Sequence, residues 1–378
     1  MSDADRALLG GLTASRFLAQ HWHKSARLVC GAVPGFNGMF DRASLVSLAV
    51  RDDVESRLVV NERGRYTLAQ GPFRRADLKR LPARGWTLLV QGLNHHCHEA
   101  DALLRRFSFL PFARLDDLMA SYAVPGGGVG AHFDSYDVFL LQGFGRRRWR
   151  YGRQRDLSLV PDRPLKILRR FRPEEDRVLG PGDMLYLPPQ YAHEGVALDE
   201  CTTYSIGFRA ASAAELASAF LDFLGDAVTF EGRYADPDLM PTTEPARIDR
   251  RMQRQTAKLL NQIHWDAGTV ARFLGSHLSE PKPTIVFDPP DTPLSRAAFA
   301  RLIEAKGVVL NRRTQLLYDD QRAYMNGLEA SFSRRGVQSL RDLANARRLS
   351  ARACALLAGD TLALLHDWYR DGFLSAGE

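Results

Sequence analysis

The chain has 378 residues, enough for two or three domains at roughly 150 residues each. Hydrophobic residues make up 45% and charged residues 25%, ordinary for a folded protein, and no apolar run reaches the roughly 18 residues that suggest a membrane span. The net charge of +7 is compatible with nucleic-acid or ribosomal partners, while four scattered cysteines (Cys30, Cys97, Cys201, Cys354) with no CxxC pair argue against a disulfide framework and an all-cysteine zinc site.

The opening MSDADRALLGGL lacks a basic segment followed by a long apolar stretch, so a cytoplasmic location is expected. Residues 11–30 predict a helix running into a short strand, ARLVC. A second helix over 41–50 starts at Asp41 as N-cap. SRLVV and YTLAQ flank a turn at NERGR; WTLLVQGL suits a buried strand and EADALLRRFSFL a helix. From 118 to 208 short strands alternate with Gly/Pro turns: LMASYAV, DVFLLQ, RRRWRYG, KILRRF, DMLYLPP and TTYSIGFR. That texture predicts an antiparallel barrel or sandwich. After Arg209 come amphipathic helices, ASAAELASAFLDFLGDAV and RIDRRMQRQTAKLLNQIHWDAGTVARFLGSHL. A proline-rich linker, EPKPTIVFDPPDTP, leads to helices around a strand hairpin, a winged-helix-like pattern. The expected class is α+β, with units at 1–208, 209–277 and 278–378.

The sharpest chemical signal is His132-Phe133-Asp134, with His193 following 59 residues after Asp134. On a strand, residues i and i+2 share a face, so His132 and Asp134 would project together. Two imidazoles and one carboxylate on one side of a metal leave positions open, which suits non-haem Fe(II). Taken singly, His132 reads more often as a hydrogen-bonded structural histidine and Asp134 as a turn cap; two histidines and an aspartate together are better explained by a metal. In RRRWRYG, Arg147 shares parity with Trp149 and Tyr151, the packed face, whereas Arg146, Arg148 and Arg150 point outward. An inward guanidinium needs an anion: the distal carboxylate of a keto acid, or an internal Asp or Glu. His95-His96-Cys97-His98 offers four metal-ligand types, but a compact run rarely closes a tetrahedral site. PGGGVG (125–130) lacks the GK[ST] ending of a phosphate loop and reads as a tight turn.

DDLMASYAVPGGGVGAHFDSYDVFLLQGFGRRRWRYG, PGDMLYLPPQYAHEGVA and CTTYSIGFRA, with GPF (71–73) and LPARGWTLLVQ (81–91), resemble the bacterial ribosomal oxygenases of the JmjC, cupin-like class. The likeness is strong over residues 10–210, and the order of barrel, helical segment and winged-helix-like module also matches. It implies a JmjC/cupin double-stranded β-helix barrel that uses Fe(II), 2-oxoglutarate and dioxygen to hydroxylate an arginine of protein sixteen of the large ribosomal subunit. It places His132, Asp134 and His193 on the family's iron ligands, Arg147 on its 2-oxoglutarate anchor, and Ser121 at a cosubstrate contact. Ala131 stands where the family pattern has proline, and NHHCH (94–98) replaces an Asp-containing stretch. The resemblance also implies a homodimer through residues 209–277, whose apolar positions exceed the needs of a linker.

Asp116, Asp117, Asp137 and Glu194 are candidate contacts for a basic ribosomal protein, and the outward arginines are candidates for weak RNA contact. A JmjC demethylase would share the same site chemistry. A DNA-binding regulator with a ligand-sensing barrel is a third reading, distinguished by steep salt dependence of DNA binding.

Overall fold

The computed structural model describes residues 3–227, 232–330 and 334–377. Up to residue 208 the described helices are α1 (Asp3–Leu8), α2 (Ala14–Gln20), α3 (Arg42–Ala49), α4 (Arg75–Lys79) and α5 (His98–Arg105). The strands are β1 (Arg27–Val29), β2 (Ser56–Glu62), β3 (Arg65–Gln70), β4 (Trp86–Val90), β5 (Leu115–Ala123), β6 (Asp137–Gln142), β7 (Arg147–Gly152), β8 (Glu175–Leu179), β9 (Met184–Leu187), β10 (Ala192–Ala197) and β11 (Cys201–Phe208). They form an eight-stranded sheet, β1-β9-β6-β11-β5-β4-β2-β3, and a three-stranded sheet, β10-β7-β8.

The unbroken apolar run DVFLLQ follows from burial on both faces. Val138 and Leu140 pack with Trp149, Tyr151 and Leu179 of the smaller sheet. Phe139 and Leu141 join a larger core with Leu8, Phe17, Leu45 and Phe107 from the helical layer. Asp41 caps α3 as its sequence predicts, accepting from the Ser44 amide at 2.8 Å. KILRRF differs from expectation: apart from one bridge between Leu168 and Leu159, it makes no strand. Pro161, Pro164 and Pro173 bracket it, and proline withholds ladder donors. The third strand of the small sheet is instead β8, EDRVL, whose mostly exposed, charged residues carry no apolar signal.

Beyond the barrel lie α6 (Ala213–Ala227), α7 (Arg250–Leu260) and α8 (Ala267–Ser279). The C-terminal module contains α9 (Arg296–Lys306), β12 (Val308–Leu310), β13 (Leu316–Tyr318), β14 (Ala323–Met325), β15 (Leu328–Ala330), α10 (Val337–Ala346), β16 (Arg348–Leu349), α11 (Ala351–Cys354), α12 (Gly359–Arg370) and β17 (Leu374–Ala376). Its sheets run β16-β12-β17 and β13-β14-β15 around a separate core that includes Phe299, Ile303, Leu343, Leu365 and Trp368. Helix α8 crosses the expected boundary at 277 and packs on β14, where the Tyr324 hydroxyl donates to the Ala271 carbonyl at 3.4 Å. Helix α6 leans on α8 through Phe220 and Phe273, ring centroids 5.1 Å apart.

The linker after α8 is fastened to the barrel. Lys282 Nζ lies 3.0 Å from Asp116 and 2.9 Å from Asp117, and Arg313 Nε donates to the His95 carbonyl at 3.4 Å. Burial pushes the Asp117 carboxyl above its ordinary range, while Lys282 pulls it back. Replacing Lys282 with methionine strands this carboxylate, so a loss of about 3 kcal/mol is expected at neutral pH in urea unfolding. A carboxyl whose folded pKa lies above its unfolded value costs stability as pH rises between the two. The deficit of the variant should therefore shrink on acidification, and a pH-independent deficit would contradict this account.

Candidate metal centre

Among the described residues, one group has metal-ligand character: His132, Asp134 and His193, whose ligand atoms all lie within 4.8 Å of one another. His132 Nε2 is 3.9 Å from Asp134 Oδ1, and His193 Nε2 is 3.7 Å from Asp134 Oδ2. The local structure differs from the expected strand. His132 to Asp134 form an irregular segment anchored by one bridge, in which His132 and His193 exchange backbone hydrogen bonds of 2.9 and 2.8 Å. That bridge brings the two histidines together, and the Gln190 amide, donating to the Asp134 carbonyl at 2.7 Å, holds Asp134 beside them, so convergence does not come from strand alternation. His193 sits within β10 and pairs with Tyr151 of β7.

Both imidazoles are oriented by the main chain. His132 Nδ1 lies 3.0 Å from the Gly130 carbonyl and His193 Nδ1 2.9 Å from the Tyr191 carbonyl. A carbonyl only accepts, so each Nδ1 carries the proton and each Nε2 lone pair is left for a metal. Burial, reinforced by His132, lowers the His193 pKa to about 4, so this ring is neutral at physiological pH. Two nitrogens and one carboxylate oxygen are the donor set of a facial triad that leaves positions for other ligands. The residues present therefore fit a ferrous ion.

Glycines let the strands carrying these groups close in. A Cβ at Gly195 would meet the Trp149 ring at 2.7 Å, and one at Gly128 would meet the Gly195 carbonyl oxygen at 2.5 Å.

Arg147 is buried, as are Trp149 and Tyr151, whereas Arg148 is exposed and Arg150 partly exposed. Its Nη1 donates to Ser121 Oγ at 3.3 Å, and Nε and Nη2 have no hydrogen-bond partner. Among the described residues it has no carboxylate partner, so the alternative of an internal salt bridge is not what the fold builds. Ser121 itself lies in a row across five strands, Arg57, Leu89, Ser121, Thr203 and Gln142, paired one to the next. Thr203 donates to Gln142 Oε1 at 3.0 Å. Sequence reading passed over Thr203 and Gln142. The signal was there in each, a polar residue on a strand that is otherwise buried, but only the register shows that they share a face with Ser121.

Residues 102–216 match the JmjC domain and residues 260–375 the ROXA-like winged helix. Over 281 residues the chain is 37% identical to the ribosomal protein uL16 3-hydroxylase of Escherichia coli strain K12, covering 73% of this chain and 74% of that protein. The chain belongs to the JmjC ribosomal oxygenases. An X-ray structure of E. coli ycfD superposes with a TM-score of 0.83 at 33% identity, covering 96% of this chain and 98% of that one. The structure of YcfD, a ribosomal oxygenase from E. coli, in complex with cobalt and 2-oxoglutarate matches with a TM-score of 0.81 at 32% identity and the same coverage.

In this ribosomal oxygenase the expected acidic contacts are largely spoken for. Asp116 and Asp117 hold Lys282, Asp137 is buried against His23 (2.9 Å) and the Tyr186 hydroxyl (2.6 Å), and Glu194 pairs with Arg150. The outward arginines are ion-paired too: Arg146 with Asp199, Arg148 with Asp176 and Arg150 with Glu194. Each stands opposite a carboxylate on a neighbouring segment, so the stripe offers phosphate groups little free charge. His95 is buried, and burial together with Lys282 lowers its pKa to about 3, while Cys97 donates to Glu99 at 2.8 Å. No zinc cluster forms at residues 95–98 among the described residues. The four cysteines are free thiols.

Proposed function

We propose that this protein is an Fe(II)- and 2-oxoglutarate-dependent dioxygenase that hydroxylates an arginine side chain of the large-subunit ribosomal protein uL16. The observation that carries this reading is the buried, carboxylate-free guanidinium of Arg147 in the same barrel as the His-Asp-His triad. His132, Asp134 and His193 would hold the iron, which when bound supplies oxygen activation. Arg147 would take the distal carboxylate of 2-oxoglutarate through its two unpartnered nitrogens, with Ser121 fixing the third. Arg147 is four residues along β7 from Tyr151, the partner of His193, or about 13 Å. A long side chain and a five-carbon dicarboxylate together bridge that distance. Trp149, packed between them in the sequence of β7 with its ring centroid 6.0 Å from that of His193, helps keep water from the reacting groups.

The test is mass spectrometry of uL16, or of its fragments, incubated with the protein, Fe(II) and 2-oxoglutarate. The expected result is an increment of one oxygen atom on an arginine with succinate formed in step. Succinate release without oxygen transfer to any ribosomal protein would overturn the substrate, and transfer to another residue type would overturn the arginine.

The three units at 1–208, 209–277 and 278–378 are taken as catalytic, dimerising and winged-helix-like. Support for a homodimer comes from α7, which buries none of its residues, and from Leu221, Leu260 and Trp265, which are 64%, 59% and 54% exposed. A second copy covering these groups is the simplest closed assembly. Leu224, by contrast, is buried within the protomer, so its substitution reports on folding rather than on assembly. Leu221→Asp with Leu260→Asp is expected to halve the mass seen by light scattering, from a dimer to about 42 kDa, with the fold retained. A wild-type chain already monomeric at micromolar concentration would end the dimer reading. No described helix is long and apolar enough to cross a membrane, and a cytoplasmic site of action fits a ribosomal substrate.

A further inference from the structure

Where α5 of the barrel meets the β16-β12-β17 sheet, a cleft of about 1090 Å³ opens. Its lining includes Arg105, Lys306, Arg312, Arg347 and Arg348, against a single acid, Asp101. Asp101 is taken by Arg105 at 2.9 Å. Lys306, Arg312, Arg347 and Arg348 have no carboxylate partner among the described residues. Arg347 is the most constrained of them. It sits at φ +59°, and its guanidinium donates to the Thr314 and Asn311 carbonyls at 3.0 and 2.8 Å. Those contacts fix its position without neutralising it, and burial, with Arg105 nearby, lowers its pKa to about 9. Four cations without an ion-pair partner among the described residues, lining one cleft, attract a polyanion.

The choice of polyanion follows from what the lining lacks. The lining holds no Phe, Tyr or Trp, and His98 is its single ring, so a run of unpaired bases has no series of stacking platforms there. We propose that this cleft binds the phosphodiester backbone of double-helical RNA without reading its sequence. The proposal rests on the ribosomal-substrate reading only in choosing RNA over DNA. It gives the winged-helix-like module a part in placing the enzyme beside ribosomal RNA, and it differs from the ion-paired arginine stripe on the barrel.

The test is fluorescence anisotropy of a labelled RNA hairpin with the full-length protein over a salt series. Four phosphate contacts predict a log–log salt slope of about −3 to −4. Arg312→Glu with Arg348→Glu should weaken binding at least about tenfold at low salt and lower the slope by about 2. Arg312→Gln with Arg348→Gln is the milder pair should the charge reversal not fold. Arg148→Gln, on the ion-paired stripe, should change neither quantity. Absence of hairpin binding at low salt, equal effects of Arg148→Gln and the cleft pair, or tighter binding of duplex DNA or polyglutamate than of the hairpin would each overturn the proposal. Hydroxylation of uL16 fragments by the same preparations tests the catalytic reading separately, since the cleft pair should leave it intact.

Discussion

Replacing His132 or Asp134 with alanine is expected to abolish 2-oxoglutarate turnover and to weaken cobalt(II) or iron(II) binding by more than about 100-fold. Loss of a group that merely orients a metal ligand costs about 10–100-fold in affinity, and these variants remove a ligand itself. The three donors lie within 4.8 Å of one another, and among the described residues no fourth joins the group to compensate. The fold should survive, because the two large apolar cores of the barrel do not include the triad. Chelator treatment of the wild type should therefore abolish activity while circular dichroism is retained. A variant that binds metal with wild-type affinity would sink the assignment of that residue.

Arg147→Ala should raise the KM for 2-oxoglutarate by about 10- to 150-fold, the equivalent of the 1.5–3 kcal/mol that a charge-assisted contact contributes. Arg147→Lys should fall between, because an ammonium keeps the charge and loses the planar fork. Arg148→Ala, one residue along and on the exposed face, should change KM less than about twofold. Binding measured by tryptophan fluorescence would separate a binding defect from slow chemistry. Equal effects at 147 and 148 would refute the pocket assignment.

Much of this site is legible in the chain because its parts sit in strongly patterned strands. The odd-position aromatics Trp149 and Tyr151 reveal which way Arg147 points before any coordinates are needed. The triad is legible by residue type and spacing, although the expected strand geometry is absent: a bridge between His132 and His193 and a hydrogen bond from the Gln190 amide to the Asp134 carbonyl take its place. Partners brought together from distant positions leave no such trace. Nothing local ties Lys282 to Asp116 and Asp117, some 165 residues away, or Arg150 to Glu194, so acids that read as open contacts are already engaged. Strand β8 is not legible because its side chains face water, and the packing of α8 on β14 is not legible because helical periodicity cannot say which sheet a stripe will meet.

The fastening of Lys282 to the barrel bears on how this architecture can be taken apart. A gene fragment ending at residue 208 would encode every triad member and Arg147, and by that measure a self-sufficient catalyst. Yet it would lack Lys282, the cation that sits on Asp117, together with Arg209, whose Nε reaches Asp116 at 3.3 Å. The excised barrel would thus expose two adjacent carboxylates beside its catalytic strands. Modularity here is genetic rather than physical, and any transplant of the catalytic unit into another scaffold has to carry its counter-charges with it.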